Sequence, residues 1–410
     1  MYQLLGGMRV VEGSSFIAAP SCGLYLAQLG AEVIRFDMIG GGPDFNRWPQ
    51  APGGASLYWE GLNKGKKSIA IDLSSPEGRE LAVALIAAPG EERGIFLTNF
   101  PAAGFLSHER LSKSRPDLIT LRVMGHADGT PAVDYTINSA VGIPQMTGPA
   151  TLGEEPVNHV LPAWDLVTGA YAAFALLAAE RCRRGTGRGQ EVRIPLSDVA
   201  AASLGHLGQI AETSISGADR ARYGNNLFGA FGKDFLTRDG RRLMIVAITT
   251  RQWTGLVAAL GIAAQIKALE AQAGLSFDRD EGTRFRFREP LNAIVAGAVA
   301  ARDHDALARA FDANGVCWGP YRTLHQALAE DAAFSTANPV FAMVDHPSGH
   351  SYLTPGAAAT FGGGERSPPV RAPRLGEHTD AILAEVLGLS SGQIAALHDR
   401  KVVAGAEATA

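Results

Sequence analysis

The chain has 410 residues, more than one ordinary hydrophobic core serves, so two domains are expected. Hydrophobic residues make up 46% and charged residues 19%, and the net charge is -4. That balance suits a soluble globular protein and excludes the basic field that attracts nucleic acid. Three widely spaced cysteines, Cys22, Cys182 and Cys317, exclude a disulfide framework and a C-x-x-C metal site.

The opening "MYQLLGGMRVVEG" lacks the features of a signal peptide. The wholly apolar run Ala170 to Ala179 is too short to span a bilayer, so no membrane association is expected. The expected compartment is the cytoplasm.

Met8 to Ser14 reads as a strand, followed by a helix closed by Gly30 and a second strand over Glu32 to Asp37. This is a β-α-β unit. Lys67 to Leu73 reads as another strand. The next helix has a serine cap, Pro76 in its first turn and a stop at Gly90. "GIFLTNF" and "DLITLRVMG" supply two more strands, and "QEVRIPLSD" a further one after the helix that begins at Asp165. That helix carries an acid at its start and Arg181, Arg183 and Arg184 at its end, as the helix dipole prefers. The alternation predicts an α/β fold with a doubly wound parallel sheet.

Past residue 200 a Gly-rich stretch leads into a hairpin around Asp239-Gly240, and Ala-rich helical patterns run from Thr250 to Ala310. The reading is a large domain over residues 1–205, completed by 335–410, and a small α+β domain over 225–325. Residues 206–224 and 326–334 read as linkers. Pro339 to Pro373 reads as irregular, wrapping over the large domain or a partner, before a last helix in "DAILAEVLGL".

Several familiar sites are missing. The turn "EGSSFIAAPSCG" lacks the G-x-G-x-x-G spacing, neither "GGG" run continues as a P-loop, and there is no G-x-S-x-G elbow. The ten histidines show no metal-ligand spacing, and His126 reads as a solvated loop residue. No metal and no permanently bound cofactor are expected. Asp165 remains, either as a helix N-cap or as a reactive carboxylate.

A set of segments together resembles the class III coenzyme A transferases. They are "RVVEGSSFIAAPSCGLYLAQLGAEVIRFD", "LNKGKKSIAIDLSSPEGRE", "LTNF", "LPAWDLVTG", "YGNNLFGAFGKDFLTRDGRRL" and "RAPRLGEHT". Their order and spacing cover nearly the whole chain. The resemblance implies a Rossmann-like large domain, a small domain, and a homodimer of two interlocked chains. It implies a CoA thioester as substrate, and Asp165 as the nucleophile that carries CoA as an aspartyl thioester.

Position by position, the resemblance assigns CoA contacts to Ser15, Phe16, Ile17 and Ala18. It adds Ile71, Asp72, Leu73 and Ser74, with Asn99 and Phe100. Two basic CoA-gripping positions of the family are here Met38 and Ser107, which leaves Lys64, Lys66, Lys67 or Arg47 as replacement cations. The related acyl-CoA racemases need a histidine directly before an Asp, and here Val133 precedes Asp134, so proton abstraction is disfavoured.

Five stretches, among them "RFDMIGGGPDFNRWP" and "GNNLFGAFGKDF", resemble family members that move CoA between the two carboxyls of one C5 unsaturated diacid. The implied substrate is the CoA thioester of a C5 dicarboxylic acid, with transfer between two separate acids as the alternative. Phe228 and Phe231, in place of small residues of the family's mobile loop, are expected to close the acyl pocket and retain the free diacid.

Overall fold

A computed structural model describes residues 1–101 and 103–406. Residues 407–410, which end the range read for the large domain, lie outside the described residues. The chain divides into a large unit, Met1–Val141, Val160–Glu212 and Asp331–Ala410, and a small unit, Gly142–His159 and Thr213–Glu330.

The large unit begins with β1 (Arg9–Gly13), α1 (Ala18–Gln28) and β2 (Glu32–Asp37). Next come α2 (Leu57–Asn63), β3 (Lys67–Ile71) and α3 (Pro76–Ile86). Serine hydroxyls start both of those helices: Ser56 accepts the Trp59 amide and Ser75 the Gly78 amide, each at 3.0 Å. The expected stop at Gly90 is not used. α3 ends at Ile86, and Gly90 lies in the turn beyond.

β4 (Ile95–Thr98), α4 (His108–Ser114), β5 (Ile119–Met124) and α5 (Asp134–Ala140) follow, then α6 (Ile143–Met146) in the small unit. The long α7 (Ala163–Thr186) leads to β6 (Gln190–Pro195) and α8 (Leu196–His206). α7 starts two residues before Asp165, because Pro162 takes the N-cap position. Asp165 is therefore in the first turn and does not cap the helix.

α9 (Gln209–Ser216) forms inside the stretch read as a linker. The small unit adds β7 (Phe231–Leu236) and β8 (Arg242–Ala247), joined through Asp239-Gly240. Helices α10 (Thr250–Leu260), α11 (Ala263–Ala273), α12 (Glu281–Arg286), α13 (Arg288–Ala300) and α14 (His304–Asn314) come next. β9 (Cys317–Pro320) completes an antiparallel sheet in the order β7-β8-β9, and α15 (Leu324–Glu330) closes the unit. Phe231, Trp253, Phe277 and Phe311 fill its core.

The segment 339–373, expected to be irregular, holds a hairpin of β10 (Phe341–Asp345) and β11 (Ser351–Pro355). It is tied back to α2: the Glu60 carboxylate accepts the Ser348 amide at 2.7 Å and the Tyr352 hydroxyl at 3.0 Å. α16 (Thr379–Leu387), α17 (Ser391–Asp399) and β12 (Val403–Ala404) end the described chain.

Among the described residues the large sheet has seven strands in the order β12-β3-β2-β1-β4-β5-β6. β1 to β6 pair in parallel, and β12 pairs antiparallel to β3 at the edge. Alternate residues feed two cores. Val10, Val33, Leu97 and Leu121 meet α1, α7 and α8, while Val11, Ile34, Phe36 and Ile71 meet α3, α16 and α17. α7 approaches α1 closely at Gly169, where an added Cβ would lie 2.7 Å from the Ala18 carbonyl oxygen. Among the described residues no helix is long and apolar enough to cross a membrane.

Candidate active site

In an open parallel sheet, ligands collect outside the carboxyl ends of the strands where the strand order reverses. That point here lies between β1 and β4. Thr98 Oγ1 donates to the Gly13 carbonyl at 2.7 Å. The Asn99 side chain clamps Ser15 from both sides, accepting its amide at 2.9 Å and donating to its carbonyl at 2.7 Å. Ser15, Phe16 and Asn99 are thus held together at the crevice. Ile17 follows as the N-cap of α1, and Ala18 is buried.

Phe16 adopts φ +69, the left-handed region that a bulky residue rarely enters, and its side chain remains exposed. Its amide donates to Asp44 Oδ2 at 3.0 Å. The amides of Ser15 and Phe16 are both spent on side chains, so this turn offers neither to a phosphate. That agrees with the missing dinucleotide spacing.

Asp44 belongs to a buried charge network beneath the crevice. Arg35 Nη2 reaches Asp44 Oδ1 at 3.0 Å, and Arg35 binds both oxygens of Asp37 at 2.9 Å. Lys66 Nζ lies 2.9 Å from the Glu12 carboxylate, 2.9 Å from the Pro20 carbonyl and 3.0 Å from Asn63 Oδ1. Glu12, Asp37 and Asp44 face Arg35 and Lys66, and all five are buried. Burial pushes the Lys66 ammonium below its usual range. Lys66 cannot serve as a free cation for CoA.

The other proposed cations differ. Lys67 pairs with Glu32 at 2.7 Å, at the amino end of β3 and away from the crevice. Lys64 donates to the Gly61 carbonyl at 2.5 Å, and burial pushes its ammonium down to about 8. Ser107 caps α4, and Met38 is exposed. Arg47 is exposed, with its guanidinium 5.5 Å from the Phe16 ring centre and 5.4 Å from that of Tyr58.

Asp165 receives no hydrogen bond on its carboxylate from any described residue. The donors of its helix end go elsewhere: Asp134 Oδ2 accepts the Trp164 amide at 2.7 Å and the Asp165 amide at 3.1 Å. Trp164 Nε1 donates to Asn138 Oδ1 at 3.1 Å, which adds a second tie from α5 to α7. Asp134 is almost wholly buried, and its Oδ1 has no hydrogen-bond partner among the described residues. Burial, and secondly the Asp134 charge, pushes the Asp165 carboxyl up to about 7, against the opposing pull of Arg47. The helix end that was expected to favour Asp165 ionisation is occupied by a competing carboxylate.

The remaining expected contacts are spread wider. Ile71 is fully buried, so its side chain belongs to the core. Asp72 Oδ1 accepts the Ser74 amide at 3.0 Å, folding Asp72 to Ser74 into a tight turn at the end of β3. That turn stands two strands from β1. The Phe100 ring packs edge-on to Phe36 at 6.4 Å. A separate cavity of about 340 Å³, lined by Phe45, Trp59, Ala70, Pro347 and Leu375 among others, includes none of the expected contact residues.

Phe231 is fully buried in the small unit's core, stacked 6.3 Å from Phe235, so it does not form part of a closing loop. Phe228 is exposed and packs on Tyr223 and Phe285. Val133 is exposed and caps α5, leaving the racemase histidine position without a titratable group. Asp134 carried one sequence signal, its place after Val133, but its reach to a helix some thirty residues onward carried none.

Comparison with known proteins gives consistent likenesses. The family model described as CoA-transferase family III matches residues 5–379. The chain is 53% identical over 411 residues to the 2-methylfumaryl-CoA isomerase of Chloroflexus aurantiacus, covering 100% of each chain. It is 29% identical to the succinyl-CoA--D-citramalate CoA-transferase of the same organism, over 97% of this chain and 98% of that protein. A solved structure of a CAIB/BAIF family protein from Brucella suis superposes with a TM-score of 0.76 at 27% identity, over 94% of this chain and 100% of that one.

Proposed function

The chain belongs to CoA-transferase family III, and from that premise we propose that it is an intramolecular CoA transferase acting as a 2-methylfumaryl-CoA isomerase. It moves CoA from the C1 to the C4 carboxyl of mesaconyl-CoA, giving 3-methylfumaryl-CoA. The full-length likeness to the isomerase carries this reading. The setting of Asp165 supplies its chemistry.

An oxygen of the Asp165 carboxylate attacks the thioester carbon, the C–S bond breaks, and a mixed anhydride and CoA thiolate result. The thiolate then attacks the aspartyl carbonyl. That releases the substrate's C1 carboxylate and leaves CoA on Asp165 as a thioester. The C4 carboxylate attacks that thioester, thiolate leaves again, and its attack on the C4 acyl carbon gives product and restores Asp165.

A carboxylate short of hydrogen-bond donors and raised in pKa is a stronger nucleophile than a solvated one, and a better leaving group is not required of it until the anhydride forms. Ser15 to Ala18, Asp72 to Ser74, Asn99 and Phe100 are the proposed CoA contacts, with Ile71 acting through the backbone. Retaining the diacid between steps makes the second half effectively unimolecular, where effective molarities reach about 10⁵ M or more.

The working form is proposed to be an interlocked homodimer in the cytoplasm. The exposed apolar row Val167, Tyr171 and Phe174 on α7 supports a partner chain there, and Leu207 and Ile210 of the same unit are also exposed. Light scattering on the purified protein reads its mass directly.

The reaction is tested by incubating enzyme with mesaconyl-C1-CoA and excess isotopically labelled mesaconate. The expected C4 product carries no label. Label in it means a bimolecular transferase.

A further inference from the structure

Resting on the isomerase reading, we propose that Arg47 receives the substrate carboxylate not joined to CoA and so selects dicarboxylic acyl groups. Arg47 is unusual among the arginines of the large unit. Its guanidinium lies over two aromatic rings, Phe16 at 5.5 Å and Tyr58 at 5.4 Å, and no Asp or Glu oxygen of the described residues lies within 4.0 Å of it. A guanidinium carries five N–H donors, so an interaction with the Tyr58 hydroxyl leaves others for a ligand. A guanidinium edge matches a carboxylate bidentately, which is the recognition a free acid group offers.

The placement is built from below. Arg35 holds Asp44, Asp44 accepts the Phe16 amide, and that bond keeps Phe16 at φ +69 with its ring under Arg47. Strain of this kind persists where the surroundings over-determine it and collects at functional sites. Arg47 also lies near enough to Asp165 to favour its ionised form, and Tyr58 senses the charges of both. The nucleophile therefore lies within the electrostatic reach of an arginine that has no carboxylate partner among the described residues.

A trans-unsaturated diacid presents one carboxyl for each. With the C1 thioester at Asp165, the C4 carboxylate meets Arg47. After CoA has passed to Asp165, the freed diacid exchanges ends, its C1 carboxylate meets Arg47, and C4 meets the aspartyl thioester. A solvated surface arginine has no such ordering, and a grip on a CoA phosphate would act on every thioester alike.

The test compares two thioesters under single-turnover conditions, reading capture of CoA on Asp165 by hydroxylamine trapping of the aspartyl thioester. One is mesaconyl-C1-CoA; the other is 2-methylbut-2-enoyl-CoA, in which a methyl replaces the second carboxylate. In Arg47→Gln, kcat/KM for the diacid thioester should fall about 100-fold, the scale of losing one partner of a bidentate charge pair. At pH 9, where Asp165 is ionised with or without Arg47, the monoacid thioester should stay within about threefold, so the preference for the diacid disappears. Arg47→Lys, which keeps the charge without the fork, should recover part of the loss. Thermal melting should match the parent protein, since Arg47 is exposed.

Equal losses with both thioesters would overturn the proposal and assign Arg47 to CoA or to the nucleophile, and no loss with either would overturn it as well. The comparison stands apart from the labelled-mesaconate experiment. Label in the C4 product ends the intramolecular reading and leaves the diacid preference to be read independently.

Discussion

Asp134 and Asp165 share one helix end. Asp134 Oδ2 accepts the Asp165 amide at 3.1 Å, so a buried carboxylate caps the helix that carries the proposed nucleophile. The cap holds Asp165 in place and denies its side chain the help of the helix N-terminus. The same acid that orients the nucleophile also discourages its charge.

This relationship sets a pH dependence. Attack requires the ionised Asp165, whose carboxyl is pushed up to about 7 by burial and by Asp134. The half-reaction rate is expected to rise with pH through about 7 and level off above it. Asp134→Asn keeps an oxygen acceptor but removes the like charge, so the rising limb should move to lower pH. Stopped-flow rates from pH 5 to 9 measure both profiles. An unmoved limb would detach Asp134 from the ionisation.

Asp165→Asn should abolish turnover and raise stability at the same time. The folded carboxyl sits at about 7 against an ordinary 3.8. Its ionisation therefore costs nothing below pH 4 and its full amount above 7. Removing the charge is expected to stabilise by about 2–4 kcal/mol at pH 8 and by little at pH 4. Denaturant titrations at the two pH values check the sign.

Gly169→Ala tests the α1–α7 contact. A Cβ there would lie 2.7 Å from the Ala18 carbonyl oxygen and 2.8 Å from Ser21 Cβ, and the first of these is backbone and cannot swing away. The expected loss is about 1–3 kcal/mol, as overpacking commonly costs. Activity should fall further than stability predicts, since α7 carries Asp165 and α1 follows Phe16. Chemical denaturation and kcat at a temperature where the variant is folded separate the two.

Lys66→Met should be severely destabilising, by about 3–5 kcal/mol, because it removes the nearer cation from the fully buried Glu12 and leaves it only Arg35 at 3.5 Å. Adding Glu12→Gln should restore part of that loss. The double-variant comparison in urea reads the coupling.

Much of this arrangement is legible in the residues. β2 runs over Glu32–Asp37 as the apolar pattern and Gly30 predict, and the doubly wound sheet follows from the alternation of elements. Asp165 stood out through its motif. Its helix starts earlier than its acidic residue suggests because Pro162 suits an N-cap position, and composition alone weighs Asp more heavily there. The hairpin of β10 and β11 was hidden among prolines and glycines, since its anchor is Glu60, nearly three hundred residues away. Lys66 looked like a surface cation for the same reason: the carboxylate that claims it, Glu12, comes from another strand. Local pattern reports periodicity and caps, whereas long-range pairing of polar groups becomes visible only when the chain is folded.

The edge strand β12 has a consequence for how the protein is made. Val403 and Ala404 pair with Ile71 and Ala70, so the border of β3 stays uncovered until synthesis has passed residue 404, more than three hundred residues later. During synthesis that border is an open template for a neighbouring nascent polypeptide. A premature stop just before Val403 would leave the template exposed permanently and favour aggregation of the product.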